Sequence, residues 1–179
     1  TATVYGFDKN LWHNYLTFIL LTNENSFSMT SEKIGANDGT VNHFAKADFK
    51  VFKKLFDYDF SKIEEELEID CFSTICNYKA IGKKERMYNK NVSEKVQAVS
   101  EKIEQAKDEH EIFDIVTDFY KAYGVGMFGL NKAFRIKSLP DGVEFLPINN
   151  TEKVMLSDLI GYEIQKQKLI DNTEAFVEG

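Results

Sequence analysis

The sequence predicts an α+β fold that is predominantly helical, with five or six helices, one β-hairpin and a C-terminal linker helix. Three observations carry this prediction. Apolar residues recur at three- and four-residue spacing through much of residues 8–123. The period drops to two between Phe134 and Leu146, around Pro140-Asp141-Gly142. Only 2 Pro and 10 Gly stand beside 43% hydrophobic and 13% aromatic residues, a balance that supports a core and argues against disorder.

The first helix spans 8–21. Asp8 is placed to cap it, and Leu11, Tyr15, Phe18 and Leu21 share helical spacing. Residues 22–42 carry Asn23, Asn25, Ser26, Ser28, Gly35, Asn37, Asp38 and Gly39, all turn formers, and read as a long loop. Such a loop is either functional, ordered in part by Phe27 and Met29, or mobile. A second helix covers 43–57, with Phe49, Phe52, Leu55 and Phe56 on one face. A third covers 61–68, where the Glu64–Glu66 run reads as a solvated face. Phe72, Ile75 and Tyr78 predict a helix over 70–81, and residues 83–91 form a polar connection.

Ser93 is placed to cap a helix with Val96, Val99, Ile103 and Ala106 in its stripe. Asp108, with Glu111 three residues on, has the form of a capping box for the next. That helix carries Ile112, Ile115, Val116, Phe119, Tyr120 and Tyr123, and Gly124 stops it. The short link predicts an antiparallel pair of helices. Residues 132–148 predict the hairpin, with a three-residue loop at Pro140-Asp141-Gly142. The expected division is a domain over 1–148, then a linker and helix over 149–179.

A net charge of −7 and a pI near 5.1 argue against a broad nucleic-acid surface. Lys83, Lys84 and Arg86 near Tyr88 form a short basic cluster, read as a solvated loop with phosphate or RNA contact as the alternative. The apolar run Leu11–Leu21 is shorter than the roughly 20 residues a membrane-spanning helix needs. No membrane is expected, and no basic-then-apolar leader opens the chain.

Gly124-x-Gly126-x-x-Gly129 matches a dinucleotide fingerprint literally, yet a helix precedes it and strand-like sequence comes after, the reverse of what the motif requires. The three glycines are expected to allow a tight passage from helix to hairpin. Cys71 and Cys76 have neither zinc-knuckle nor C-x-x-C spacing. His13, His43 and His110 lack a matched partner four residues on. A zinc site built from both thiols and two imidazoles, or a Cys71–His enzyme, are the alternatives to free thiols and structural histidines.

Residues 156–179 hold a short acidic-apolar turn, Asp158-Leu159-Ile160-Gly161, then a helical run from Glu163 to Phe176. With Tyr123–Ile136, this stretch resembles an uncharacterised bacterial family of AAA-type ATP-binding proteins, domain of unknown function 815. In AAA-type ATPases a segment of this form precedes the phosphate-binding loop, and its turn lies beside the adenine. The resemblance implies that the chain is the N-terminal region of such a protein, ending before its ATPase core. No G-x-x-x-x-G-K-[ST] occurs in these residues, so no phosphate cradle is present.

The resemblance implies further expectations. The fragment has no catalytic residue, no metal site, no cofactor and no ATPase activity of its own. The full-length protein is an ATPase using ATP and magnesium, with Leu159, Ile160 and Gly161 on the adenine side. The partner is another protein or the chain's own ATPase core, in a cytoplasmic setting, with a homo-oligomer in the full-length protein. An autonomous protein-interaction module, contacting partners through residues 22–42 or an aromatic groove, is the alternative.

Overall fold

The computed structural model describes residues 2–36, 39–80, 88–149 and 155–178. The architecture is the mainly helical α+β one that the sequence predicts. Among the described residues there are ten α-helices and one two-stranded antiparallel sheet. The helices are α1 (Ala2–Tyr5), α2 (Leu11–Thr22), α3 (Ser26–Ile34), α4 (Thr40–Phe56), α5 (Ser61–Leu67), α6 (Cys71–Cys76), α7 (Lys90–Gln105), α8 (Glu109–Tyr123), α9 (Gly126–Leu130) and α10 (Glu163–Glu178). The strands are β1 (Phe134–Leu139) and β2 (Gly142–Pro147).

The main departure is α3, which occupies much of the stretch read as loop. Asn25 accepts from the Ser28 backbone N–H at 2.9 Å while the Ser28 hydroxyl accepts from the Asn25 N–H at 2.9 Å. These reciprocal bonds satisfy helix-start donors, so polar residues that suit turns here start a helix. Phe27 then drives α3 inward, with its ring centroid 5.7 Å from that of Phe49 and 5.6 Å from that of Phe113. Asn37 and Asp38 lie outside the described residues.

Two caps differ from expectation. Asn10, not Asp8, caps α2, accepting from the His13 N–H at 3.0 Å. Asp8 instead clamps a turn: its Oδ1 accepts from the backbone N–H groups of Lys9 and Ala80, both at 2.9 Å. Asn89 caps α7, which starts earlier than Ser93; Ser93 is buried inside the helix. Asp108 does cap α8, accepting from the His110 and Glu111 N–H groups. The Glu111 side chain reaches back to the Lys107 N–H rather than to that of Asp108, so the box closes one residue early. Helix α6 is shorter than the predicted 70–81.

The core lies where α8 packs on α3, α4 and α7, with α2 across α7. Val96, Ile103, Ile112 and Val116 are fully buried at its centre, as their 3-4 spacing predicts. Tyr120 is also buried, and its hydroxyl donates to the Leu20 carbonyl at 2.7 Å. The hairpin pairs Phe134 with Pro147 and Leu139 with Gly142. Its loop is therefore the two residues Pro140-Asp141, not three, because Gly142 already belongs to the ladder.

Candidate functional site

The glycine run makes a backbone junction. Gly124 closes α8 with φ +87, its N–H donating to the Tyr120 carbonyl at 2.8 Å, and Gly126 has φ +70. The next element is the short helix α9 rather than a strand. The chain folds back here so tightly that a Cβ on Gly129 would collide with the Gly124 carbonyl oxygen. The run thus joins two helices at close approach. Lys95 Nζ fastens this junction, donating to the Gly129 carbonyl at 2.6 Å and lying 4.4 Å from the Tyr123 ring centroid. Burial, then the nearby Lys132 charge, lowers the Lys95 pKa.

The hairpin stands on α9. Phe128 of α9 lies 4.9 Å from Phe134 and 5.4 Å from Phe145, ring centroid to centroid. The register places Ile136 and Val143 on the same apolar face, where both are exposed. Arg135 and Lys137 occupy the opposite face, and Lys137 pairs with Glu144 across the strands at 3.4 Å.

Leu156–Asp158 form one 3₁₀ turn, whose Asp158 carboxylate accepts from the Met155 N–H at 2.8 Å. Leu159, Ile160 and Gly161 come next, all exposed, with Ile160 at 95%. Gly161 and Tyr162 take φ +82 and +62, redirecting the chain into α10. Helix α10 has no buried residue; Ile164, Leu169, Phe176 and Val177 are exposed on it. The turn therefore presents an exposed apolar side chain, Ile160, beside exposed backbone.

The other candidates lie apart from this arm. His13 is half-buried, with Nε2 donating to the Phe56 carbonyl at 2.9 Å and the ring stacked on Phe56 at 3.8 Å. His43 and His110 are exposed on α4 and α8. Burial and the Glu64 charge raise the Cys76 thiol, the opposite of an activated thiolate. Glu64 itself is held below its ordinary value by hydrogen bonds from the Ser73 hydroxyl and backbone. No group of three or more His, Cys, Asp or Glu with metal-binding placement occurs among the described residues. No helix among them is long and apolar enough to cross a membrane. Lys83, Lys84 and Arg86 lie outside the described residues.

One concave site was not visible in the sequence. Between α2, α3, α4 and α8 lies an open cleft of about 440 Å³, with Phe27, Phe49, Phe52 and Tyr120 among its walls and Phe44 and Asp48 at its rim. Its formation depends on α3, whose helical pattern the turn-forming residues conceal. The clue that could have located it is Asn25-x-x-Ser28 immediately around Phe27.

Residues 130–179 match the model of a family described as protein of unknown function (DUF815). The matched segment holds the hairpin, the 3₁₀ turn and α10, none of which has a buried residue. Comparison with curated proteins and with solved structures gives no match.

Proposed function

We propose that this chain is the N-terminal accessory region, partner-binding or regulatory, of a bacterial, cytoplasmic AAA-type ATP-binding protein. The chain has no ATPase activity of its own in this reading. Its exposed arm, residues 155–178, is the segment that seats on the ATPase core. The observation that carries the reading is α10, a helix of 16 residues without one buried side chain, preceded by a turn whose Ile160 is 95% exposed. Apolar surface of this kind on a helix is retained where a partner covers it. The resemblance of the Asp158–Gly161 turn to the segment before a phosphate-binding loop supports an ATPase core as that partner, and the family match, which carries no function, includes the same residues. In the full-length protein Leu159, Ile160 and Gly161 then flank the adenine, while the phosphates and magnesium bind to the core.

Hydrogen exchange on the complete gene product tests this. With Mg-ATP bound, Leu159–Gly161 and α10 should be protected relative to the 179-residue chain. Equal exchange in the two proteins overturns the reading. Titration of the 179-residue chain with Mg-ATP should give no tight binding, because no G-x-x-x-x-G-K-[ST] occurs in its sequence. A dissociation constant in the micromolar range would contradict it.

A further inference from the structure

Helix α4 carries two apolar stripes, and the domain uses one. The inner stripe, Ala45, Phe49, Phe52 and Phe56, packs into the core with Phe52 only partly covered. The outer stripe is Val41, Phe44, Asp48, Val51 and Leu55, in unbroken 3-4-3-4 spacing. All five residues are exposed, Phe44 and Val51 at 65% each. A helix serving only its own core has no need of the second stripe. Spacing of 3-4-3-4 is that of a seam for another helix.

The central position of the seam is its one charged residue. The Asp48 carboxylate has no hydrogen-bond or ion-pair partner among the described residues, and its helical neighbours one turn away are Phe44, Ala45, Val51 and Phe52. Two lysines of α4 are engaged elsewhere: Lys46 lies over the Phe113 ring at 4.7 Å, and Lys53 pairs with Asp57 at 2.9 Å. Phe44 and Asp48 also border the open cleft, whose apolar floor can take an anchoring side chain.

This arrangement selects the occupant. Asp48 is the midpoint of the stripe, so an antiparallel copy of α4 would set Asp48 against Asp48, and a parallel copy in register would do the same. Two carboxylates meeting in a partly desolvated seam repel each other. A cation at the facing position of a different helix satisfies Asp48 instead.

We propose that the outer face of α4 docks an amphipathic helix of a partner protein, with apolar residues at 3-4 spacing and a Lys or Arg opposite Asp48. The charged residue selects orientation and register, as a single polar position does in a coiled-coil seam. This site is separate from the exposed arm and does not depend on an ATPase core.

Synthetic helical peptides with a 3-4-3-4 leucine stripe and a central Lys, Glu or norleucine test it, by fluorescence anisotropy against the 179-residue chain. The Lys peptide should bind at least about tenfold tighter than the Glu peptide. Asp48→Lys should reverse that order, and Phe44→Ala should weaken binding of the Lys peptide. Both residues are exposed, so both variants should fold, and circular dichroism is the check. Absence of binding, equal affinity for Lys and Glu peptides, or an order unchanged by Asp48→Lys overturns the proposal. So does self-association of the chain that Phe44→Ala abolishes, because a second copy would then be the occupant.

Discussion

The Tyr120 hydroxyl donates to the Leu20 carbonyl across 2.7 Å, joining α8 to the last turn of α2. Carbonyls in that turn have no intrahelical donor, so the phenol fills a vacancy that the helix geometry creates. Burial holds the phenol far above its ordinary pKa, so it remains a donor throughout the working range. Tyr120→Phe keeps the ring and removes the donor. It should lower stability by about 1–2 kcal/mol, read as a lower urea midpoint at unchanged slope. An unaltered midpoint would mean that water replaces the bond without cost.

Gly124 and Gly129 should be intolerant of a side chain for different reasons. Gly124→Ala places a Cβ on a residue with φ +87 and should cost about 1 kcal/mol or more. Gly129 has no such φ, yet its Cβ would run into the Gly124 carbonyl, so α9 must shift as a unit. Gly129→Ala should therefore also disturb the Lys95 bond to the Gly129 carbonyl and the Phe128 ring under the hairpin. Chemical-shift mapping should show perturbation reaching Phe134 and Phe145 in Gly129→Ala. Changes confined to residues 127–131 would contradict this coupling.

Burial of His13 gives the fold a pH dependence whose sign follows from desolvation. Desolvation lowers its pKa below the ordinary 6.5, outweighing the opposing hydrogen bond to Phe56 and the Glu104 charge. Below about pH 6.5 the unfolded chain gains a proton that the folded chain resists. The contribution is thus fully present above the unfolded value and is lost as pH falls toward the lowered folded value. Carboxylates held low by hydrogen bonds, Asp8 and Asp108, act in a more acidic window. Urea unfolding between about pH 5 and 8 should show stability falling on the acid side. His13→Gln should flatten that slope, and a slope unchanged by the substitution would remove His13 as its source.

Much of this fold is legible in the sequence because local and tertiary signals agree. In α7 and α8 the apolar stripes, the Asp108 cap and the Gly124 stop all place one antiparallel pair. The alternation around Pro140-Asp141-Gly142 fixes the hairpin in the same way. Helix α3 escapes detection because Asn25, Ser26 and Ser28 serve turns and helix starts alike, and only burial of Phe27 decides between them. Ser93 has the chemistry of a cap, yet α7 begins at Lys90, behind Asn89. The cleft and the outer stripe of α4 are hidden for another reason. Spacing alone sets Leu55 on one face with Phe49, Phe52 and Phe56, yet Leu55 is exposed beside Phe44 and Val51, because only the packing of α3 and α8 decides which stripe of α4 is covered. Leu159, Ile160 and Gly161 are nameable through resemblance alone, since nothing in their chemistry distinguishes them from an ordinary turn.

The arm yields the sharpest expectation for the chain by itself. Helix α10 is held by local contacts: Lys166 with Glu163 at 3.0 Å, Gln167 with Asp171 at 2.7 Å, and the Thr173 hydroxyl with the Leu169 carbonyl at 2.7 Å. Pairs of this kind contribute about 0.2–0.5 kcal/mol each, too little to offset the nucleation of a 16-residue helix in water. Its apolar side chains add little, since Ile164, Leu169, Phe176 and Val177 face solvent and Ile170 alone among them is partly covered. By contrast, α7 and α8 bury Val96, Ile103, Ile112 and Val116 in the core. In dilute solution the amides of residues 163–178 should therefore exchange within seconds, while those of Val96–Ile103 and Ile112–Tyr120 remain protected far longer. Leu169→Ala should leave thermal stability unchanged, because no core contact is lost. Exchange in α10 as slow as that in α8, or a destabilised Leu169→Ala variant, would mean that α10 is part of the folded domain and unavailable as an arm for another surface.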